Sequence, residues 1–241
     1  MTEDLFQTIQ TNYQRVLEDI ENSAISVGRK ADSVKLVVVT KGHSIEIAQT
    51  VTAVGGTSLG ENYVDDAVPK IEALEGKNIE WHMIGHVQSR KARLVSEHFA
   101  WVHSVDRLKL ARRLNNFSGD KGRMIPVLLE CNVSGEASKF GWSTWDEEHW
   151  PNFASEIAAL IELPNLDVRG LMTMPPYDPD PEKSRPYFIK LRRLRDYLSD
   201  QFPKENLSEL SMGMSNDYQV AIQEGATIIR VGTAIVGQRS F

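Results

Sequence analysis

Val34-Lys35-Leu36-Val37-Val38-Val39-Thr40-Lys41 is a short apolar run ending on a threonine and a lysine, followed by an amphipathic stretch, Ser44–Val54, and a second short run, Thr57–Gly60. Strand, helix and strand in that order make the repeating unit of a parallel sheet, because parallel neighbours need a crossover. The same alternation continues along the chain. Further strands are expected at Glu80–Ile84, Trp101–Ser104, Ile125–Asn132, Asp167–Met172, Leu210–Met212 and Thr227–Val231, which makes eight. Between them lie amphipathic segments such as Gln88–His98, Arg107–Phe117, Thr144–Leu163, Glu182–Phe202 and Asn216–Glu224. The pattern predicts an α/β protein, a single (β/α)8 TIM-type barrel over residues 1–241, a fold that takes ~200–250 residues. A doubly wound open sheet is the competing architecture.

Before the first strand, Leu5, Phe6, Ile9, Tyr13, Val16, Leu17 and Ile20 recur at spacings of three and four. That is one face of a helix, so residues 1–26 are expected to form an extra N-terminal helix packed on the barrel. The stretch Met1–Ile25 is acidic and has no continuous apolar core, so no secretion signal is expected. Nor does any run approach the ~20 apolar residues that span a bilayer. A net charge of −6 disfavours nucleic acid and anionic membrane as partners. The single cysteine, Cys131, lies in the apolar run Val127–Cys131 and is expected to be a buried strand residue. One thiol forms no internal disulfide, and a reducing, cytoplasmic location fits.

In such barrels the binding site forms at the carboxyl ends of the strands. The residues following the strands are Lys41, Glu61-Asn62-Tyr63, Gly85-His86, Asp106, Asn132 with Ser134-Gly135-Glu136, Met174-Pro175, Met214-Ser215, and Arg230 with Gly232-Thr233. Lys41 is the one amine nucleophile of this ring; a lysine there is brought to the mouth with its stem partly buried. Ser215, before the helical stretch at 218–224, is expected to be an N-cap, and Gly232-Thr233 offers close backbone approach plus a hydroxyl. Loops after the last two strands of a barrel commonly hold a phosphate. Arg230 has two readings: an ion pair with a carboxylate across the barrel, or a hydrogen bond to a ligand's ring nitrogen. A lysine, a phosphate cradle and an arginine together suit pyridoxal 5′-phosphate (PLP).

With those residues in view, the chain resembles the pyridoxal phosphate homeostasis proteins, stand-alone relatives of the barrel domain of alanine racemase. The resemblance is carried by Val38–Lys41, Gly60–Val64, Trp81–Gly85 with Gln88, His103–Asp106, Asn132–Glu136 with Ser138-Lys139, Gly170–Met174, Leu210–Ser215 with Asp217, and Arg230–Thr233. It implies a Schiff-base role for Lys41, phosphate contacts from Ser215, Gly232 and Thr233, and Arg230 facing the pyridine nitrogen. Asn62 falls in a motif near the cofactor. Gly42-His43-Ser44 and His86–Lys91 depart from the usual pattern of the family. The implied function is intracellular PLP homeostasis, in which the protein binds PLP without turnover; apo-enzymes that use PLP are the partner class such a role suggests.

Three other functions compete. A racemase needs an acid–base group on each face of the substrate carbanion. Its second group comes from a C-terminal β domain in alanine racemase-like enzymes, and with Phe241 following so soon after the eighth strand that domain is expected to be absent. A metal site at His82 and His86 would need a helix, which Gly85 and the preceding apolar strand oppose. The basic clusters Arg90-Lys91-Arg93 and Lys190–Arg195 are expected to be solvated helix faces, not an RNA-binding surface.

Overall fold

The computed structural model describes residues 3–238. Eight parallel strands close into a barrel: β1 (Lys35–Val39), β2 (Ser58–Glu61), β3 (Glu80–Met83), β4 (Trp101–Val105), β5 (Ile125–Asn132), β7 (Leu166–Met172), β8 (Glu209–Ser211) and β9 (Ile228–Val231). Pairing of β1 with β9, from Lys35↔Ile228 to Val38↔Val231, and of β4 with β5 completes the ring. The open sheet is thereby excluded. A two-residue strand, β6 (Trp142–Ser143), adds outside the ring beside the end of β5.

Alternation along the strands sorts the core into two parts. Val38, Val127, Leu129, Leu171 and Ile229 face the surrounding helices, while Val37, Leu128, Met172 and Ile228 cluster with Trp101 and Met174 inside the barrel. The outer layer consists of α2 (Ile45–Ala53), α3 (Val64–Ala73), α4 (Ala92–His98), α5 (Leu108–Asp120), α6 (Trp150–Ile161), α7 (Arg185–Gln201) and α8 (Tyr218–Gln223), with the single turn α9 (Thr233–Val236) after the last strand. Cys131 is buried at the end of β5, and burial pushes its thiol up. No helix of the described residues is long and apolar enough to cross a membrane.

Helix α1 (Glu3–Ser26) buries Ile9, Val16, Ile20 and Ala24. It is tied to the far end of the chain: Asn12 Nδ2 donates to the Ile235 carbonyl and Arg15 Nη2 to that of Ala234, each at 3.1 Å. The Tyr218 hydroxyl donates to Asp19 at 2.5 Å.

One helix begins later than the periodicity predicts. Thr144 is fully buried beside β6, its N–H donating to the Asn132 carbonyl, and α6 starts only at Trp150, where Pro151 supplies a preset φ in the first turn. Similarly, 3-10 turns at Ser89–Lys91 and Pro181–Ser184 precede α4 and α7 in segments expected to be continuous helix.

Candidate functional site

A cavity of about 280 Å³ opens at the carboxyl ends of β1, β2, β3, β7, β8 and β9. Lys41, Asn62, Ser215, Arg230, Gly232 and Thr233 all line it. Asn216 and Asp217, in the connection already singled out by Ser215, join them, and sequence reasoning missed Val39, His43 and Ile84 on one side and Tyr177 and Asp178 from the proline-rich loop. That loop, residues 174–181, follows β7 and carries four prolines.

Lys41 occupies a corner. The His43 N–H donates to the Thr40 carbonyl at 3.1 Å, and Gly42 between them has φ +70, the turn geometry that favours glycine in that position. The turn is anchored from below. Thr40 Oγ1 donates to Glu61 Oε1 at 2.6 Å, and Lys70 Nζ donates both to that oxygen at 2.7 Å and to the Thr40 carbonyl at 2.8 Å. Thr40, Glu61 and Lys70 are buried, so Glu61 serves the wall behind Lys41 and does not line the cavity.

The opposite wall comes from the last two connections. Gly213 has φ +93, and a Cβ there would stand 2.6 Å from the Ala221 Cβ, so only glycine lets this loop settle on α8. Ser215 does not cap α8 as expected. Asp217 is the N-cap, and its carboxylate accepts the Met214 N–H at 2.7 Å. The Ser215 hydroxyl instead accepts the N–H groups of Gly232 and Ala234 on the neighbouring connection. Its partners lie on another connection, where no local spacing could reveal them.

Arg230 is 3% exposed and borders the cavity floor. It forms no ion pair within 4 Å among the described residues. Its guanidinium donates to Ser211 Oγ at 2.5 Å and to the Thr173 carbonyl at 2.8 Å. Burial lowers it to about 10, opposed by the fields of Asp217 and Glu130, so it remains a cation at neutral pH. Asn62 Oδ1 is buried with no hydrogen-bond partner. An orphaned polar atom on a cavity wall is a group that a ligand can satisfy.

Met174 and Met214 of the expected ring also line the cavity, whereas Glu61, Tyr63, Gly85, His86, Asp106, Asn132 and Ser134–Glu136 do not. His86 stacks on Phe140 with ring centroids 4.1 Å apart, and its Nδ1 lies 3.0 Å from Asp106 Oδ2, outside hydrogen-bond alignment. Asp106 accepts from Arg107. Asn132 Oδ1 accepts the N–H groups of Ser134 and Gly135 and so organises its own turn. His82 is not beside His86 on a helix; it points into the barrel. Among the described residues no group of three or more potential ligands could hold a metal ion.

An amine on one wall, a cation on the floor, and the hydroxyls of Ser215 and Thr233 on the other wall fit an aldehyde-bearing, phosphorylated heteroaromatic ligand. Comparison with known proteins agrees with that chemistry. The profile of the family described as "Alanine racemase, N-terminal domain" matches residues 8–240. A protein of Vibrio alginolyticus named pyridoxal phosphate homeostasis protein is 41% identical over 239 residues, covering 97% of this chain and 99% of its own. PipY of Synechococcus elongatus PCC7942, solved with PLP bound, is 34% identical with a TM-score of 0.78, covering 90% of this chain and 100% of that one. Alanine racemase of Corynebacterium glutamicum, 16% identical with a TM-score of 0.70 over 95% of this chain and 61% of its own, shares the fold.

Proposed function

The chain belongs to the pyridoxal phosphate homeostasis protein family, and from that premise we propose that it holds PLP reversibly at the barrel mouth through Lys41, so controlling the free level of the cofactor without turning over a substrate of its own. The observation that carries this function is the convergence of Lys41, Arg230, Ser215, Gly232 and Thr233 on one cavity. PLP supplies an electrophilic aldehyde on a conjugated ring, reactive toward stray amines when free. Lys41 would present the amine that condenses with the aldehyde, whose carbonyl oxygen leaves as water. The hydroxyls of Ser215 and Thr233 would donate to the phosphate, Ser215 Oγ being held in place by the N–H groups of Gly232 and Ala234 that it accepts. Arg230 donates to the ring nitrogen and, being a cation, keeps that nitrogen unprotonated. Asn62 offers its unpartnered amide oxygen to a donor of the ligand.

Lack of turnover is supported by two considerations. An unprotonated ring is a poor electron sink. Acid–base catalysis also needs a second fixed group facing Lys41, and Tyr177 on the loop after β7 is 78% exposed. We infer that residues 1–241 form one binding domain working in the reducing cytoplasm, where apo-enzymes that use PLP are the recipients.

The test is an absorbance spectrum of the purified protein with added PLP, then borohydride reduction and peptide mapping. We expect a visible band, with the label on Lys41. In Lys41→Ala the band disappears while the circular dichroism of the fold persists. A band retained in that variant, with the label on another lysine, would refute the assignment.

A further inference from the structure

Four hydrogen bonds run in series through the barrel interior, from the cavity floor toward the opposite mouth. Arg230 Nη1 donates to Ser211 Oγ at 2.5 Å; Ser211 Oγ lies 2.9 Å from His103 Nδ1; His103 Nε2 lies 2.9 Å from His82 Nδ1; and His82 Nε2 lies 3.1 Å from Glu80 Oε2. His82, His103 and Ser211 are fully buried. Glu80, at the amino end of β3, is partly exposed, and its carboxylate also accepts from Lys35 Nζ and Trp101 Nε1. Such interior positions of a barrel usually carry branched apolar residues, so a polar line here calls for a reason.

The two ends dictate the direction of every proton between them. A guanidinium only donates, and an ionised carboxylate only accepts. Glu80 only accepts, so His82 carries a proton on Nε2; with that ring neutral, its Nδ1 accepts from His103 Nε2. Neutral His103 then accepts at Nδ1, and the Ser211 hydroxyl supplies that hydrogen while its oxygen accepts from Arg230. Both rings must be neutral for this pattern. Burial holds His103 well below the usual imidazole range, helped by neighbouring cationic groups, and burial likewise lowers His82. The hydrogen bond from His82 keeps Glu80 ionised, down to about 2.

We infer that these residues form a one-way hydrogen-bond relay in which His103 is a positioning residue: by accepting the Ser211 proton, it turns the oxygen's lone pairs to Arg230 and pins the guanidinium at the cavity floor. Glu80 is the far anchor of the relay, at the other end of the barrel. The relay stands on the protein alone, whereas its effect on ligand rests on the proposal that Arg230 faces the PLP ring nitrogen.

Two experiments separate these levels. Long-range ¹H–¹⁵N correlation spectra of the ligand-free protein, with signals assigned through His82→Gln and His103→Asn, report each ring's tautomer. We expect both histidines to be neutral and Nε2-protonated at pH 7; a charged or Nδ1-protonated ring at either position overturns the relay. For the ligand, His103→Phe should weaken PLP binding about tenfold and move the bound absorbance maximum. His103→Asn, whose Oδ1 can accept in place of Nδ1, should recover most of both effects. An analogue with C–H in place of the ring nitrogen should bind wild type and His103→Phe equally. Wild-type affinity and spectrum in His103→Phe would refute the positioning role while leaving the PLP function intact. If His103→Phe does not fold, the tautomers and the His103→Asn spectrum still decide the matter. Failure of wild type to bind PLP would refute the proposed function, and the tautomers would still test the relay.

Discussion

Ser215 Oγ stands 3.2 Å from the Gly232 amide nitrogen and 3.3 Å from that of Ala234, and accepts a hydrogen bond from each. One hydroxyl thus joins the connection after β8 to the connection after β9, and the two halves of the proposed phosphate cradle are held in register. Ser215→Ala combined with Thr233→Val should weaken PLP binding by about 1.5–3 kcal/mol for each lost hydrogen bond to the charged group. Unphosphorylated pyridoxal should bind weakly to both proteins with little difference. Titrations with the two ligands check this; equal losses would place the effect on the fold.

Incubated in heavy water with saturating PLP, the protein should exchange the α-proton of common amino acids slowly and without inversion. NMR of the α-position measures this more sensitively than product formation. Rapid, Lys41-dependent exchange with inversion would make the protein a racemase.

Glu130 is 3% exposed, its Oε2 has no partner, and burial, reinforced by Asp106, pushes its carboxyl up from 4.5 to about 7. An acid whose pKa is raised by folding costs stability as pH climbs from the unfolded value to the folded one. Glu130→Gln should therefore match wild type near pH 4, gain between pH 4.5 and 7, and hold a constant advantage of ~1–3 kcal/mol above that. The comparison with wild type matters, because buried His82 and His103 act in the opposite sense: their lowered pKa values destabilise the fold as pH falls below 6.5. Urea unfolding of both proteins across that range separates the two contributions.

The Lys70–Glu61 pair, 2.7 Å apart with side chains 5% and 0% exposed, should be sensitive to loss of one partner. Lys70→Met leaves a carboxylate buried behind Lys41 and should cost ~3–5 kcal/mol. Lys70→Met with Glu61→Gln should cost less than the single change, because no charge is stranded. Urea midpoints at constant m-value give the answer.

Much of this molecule could be read from its residues. The eight strand positions follow from short apolar runs, and their observed limits fall within one or two residues of expectation, with those of β5 unchanged. Lys41 and Arg230 could be placed at the mouth because strand ends face one way in a parallel barrel. What escaped was anything decided by chain closure. The hydrogen bonds of Ser215 connect residues 17 and 19 positions apart, and that between His103 and Ser211 spans 108. Glu80 and His82 show the period-two spacing of an inward strand face, but only the closed ring identifies what they meet. Strand β6 is too short to leave a pattern.

The clamp of α1 on the last turn has a kinetic side. The bond from Asn12 to the Ile235 carbonyl joins residues 223 positions apart, and β1 must wait for β9 before the ring can close. Closing a loop of roughly 200 residues costs on the order of 5 kcal/mol in chain entropy. During synthesis, the elements that supply Arg230, Gly232 and Thr233 leave the ribosome last among those described, so earlier partial products have Lys41 but no cradle. Since a ligand that needs both can stabilise only the closed ring, cofactor present in the cell would favour chains that have completed folding over those that have not.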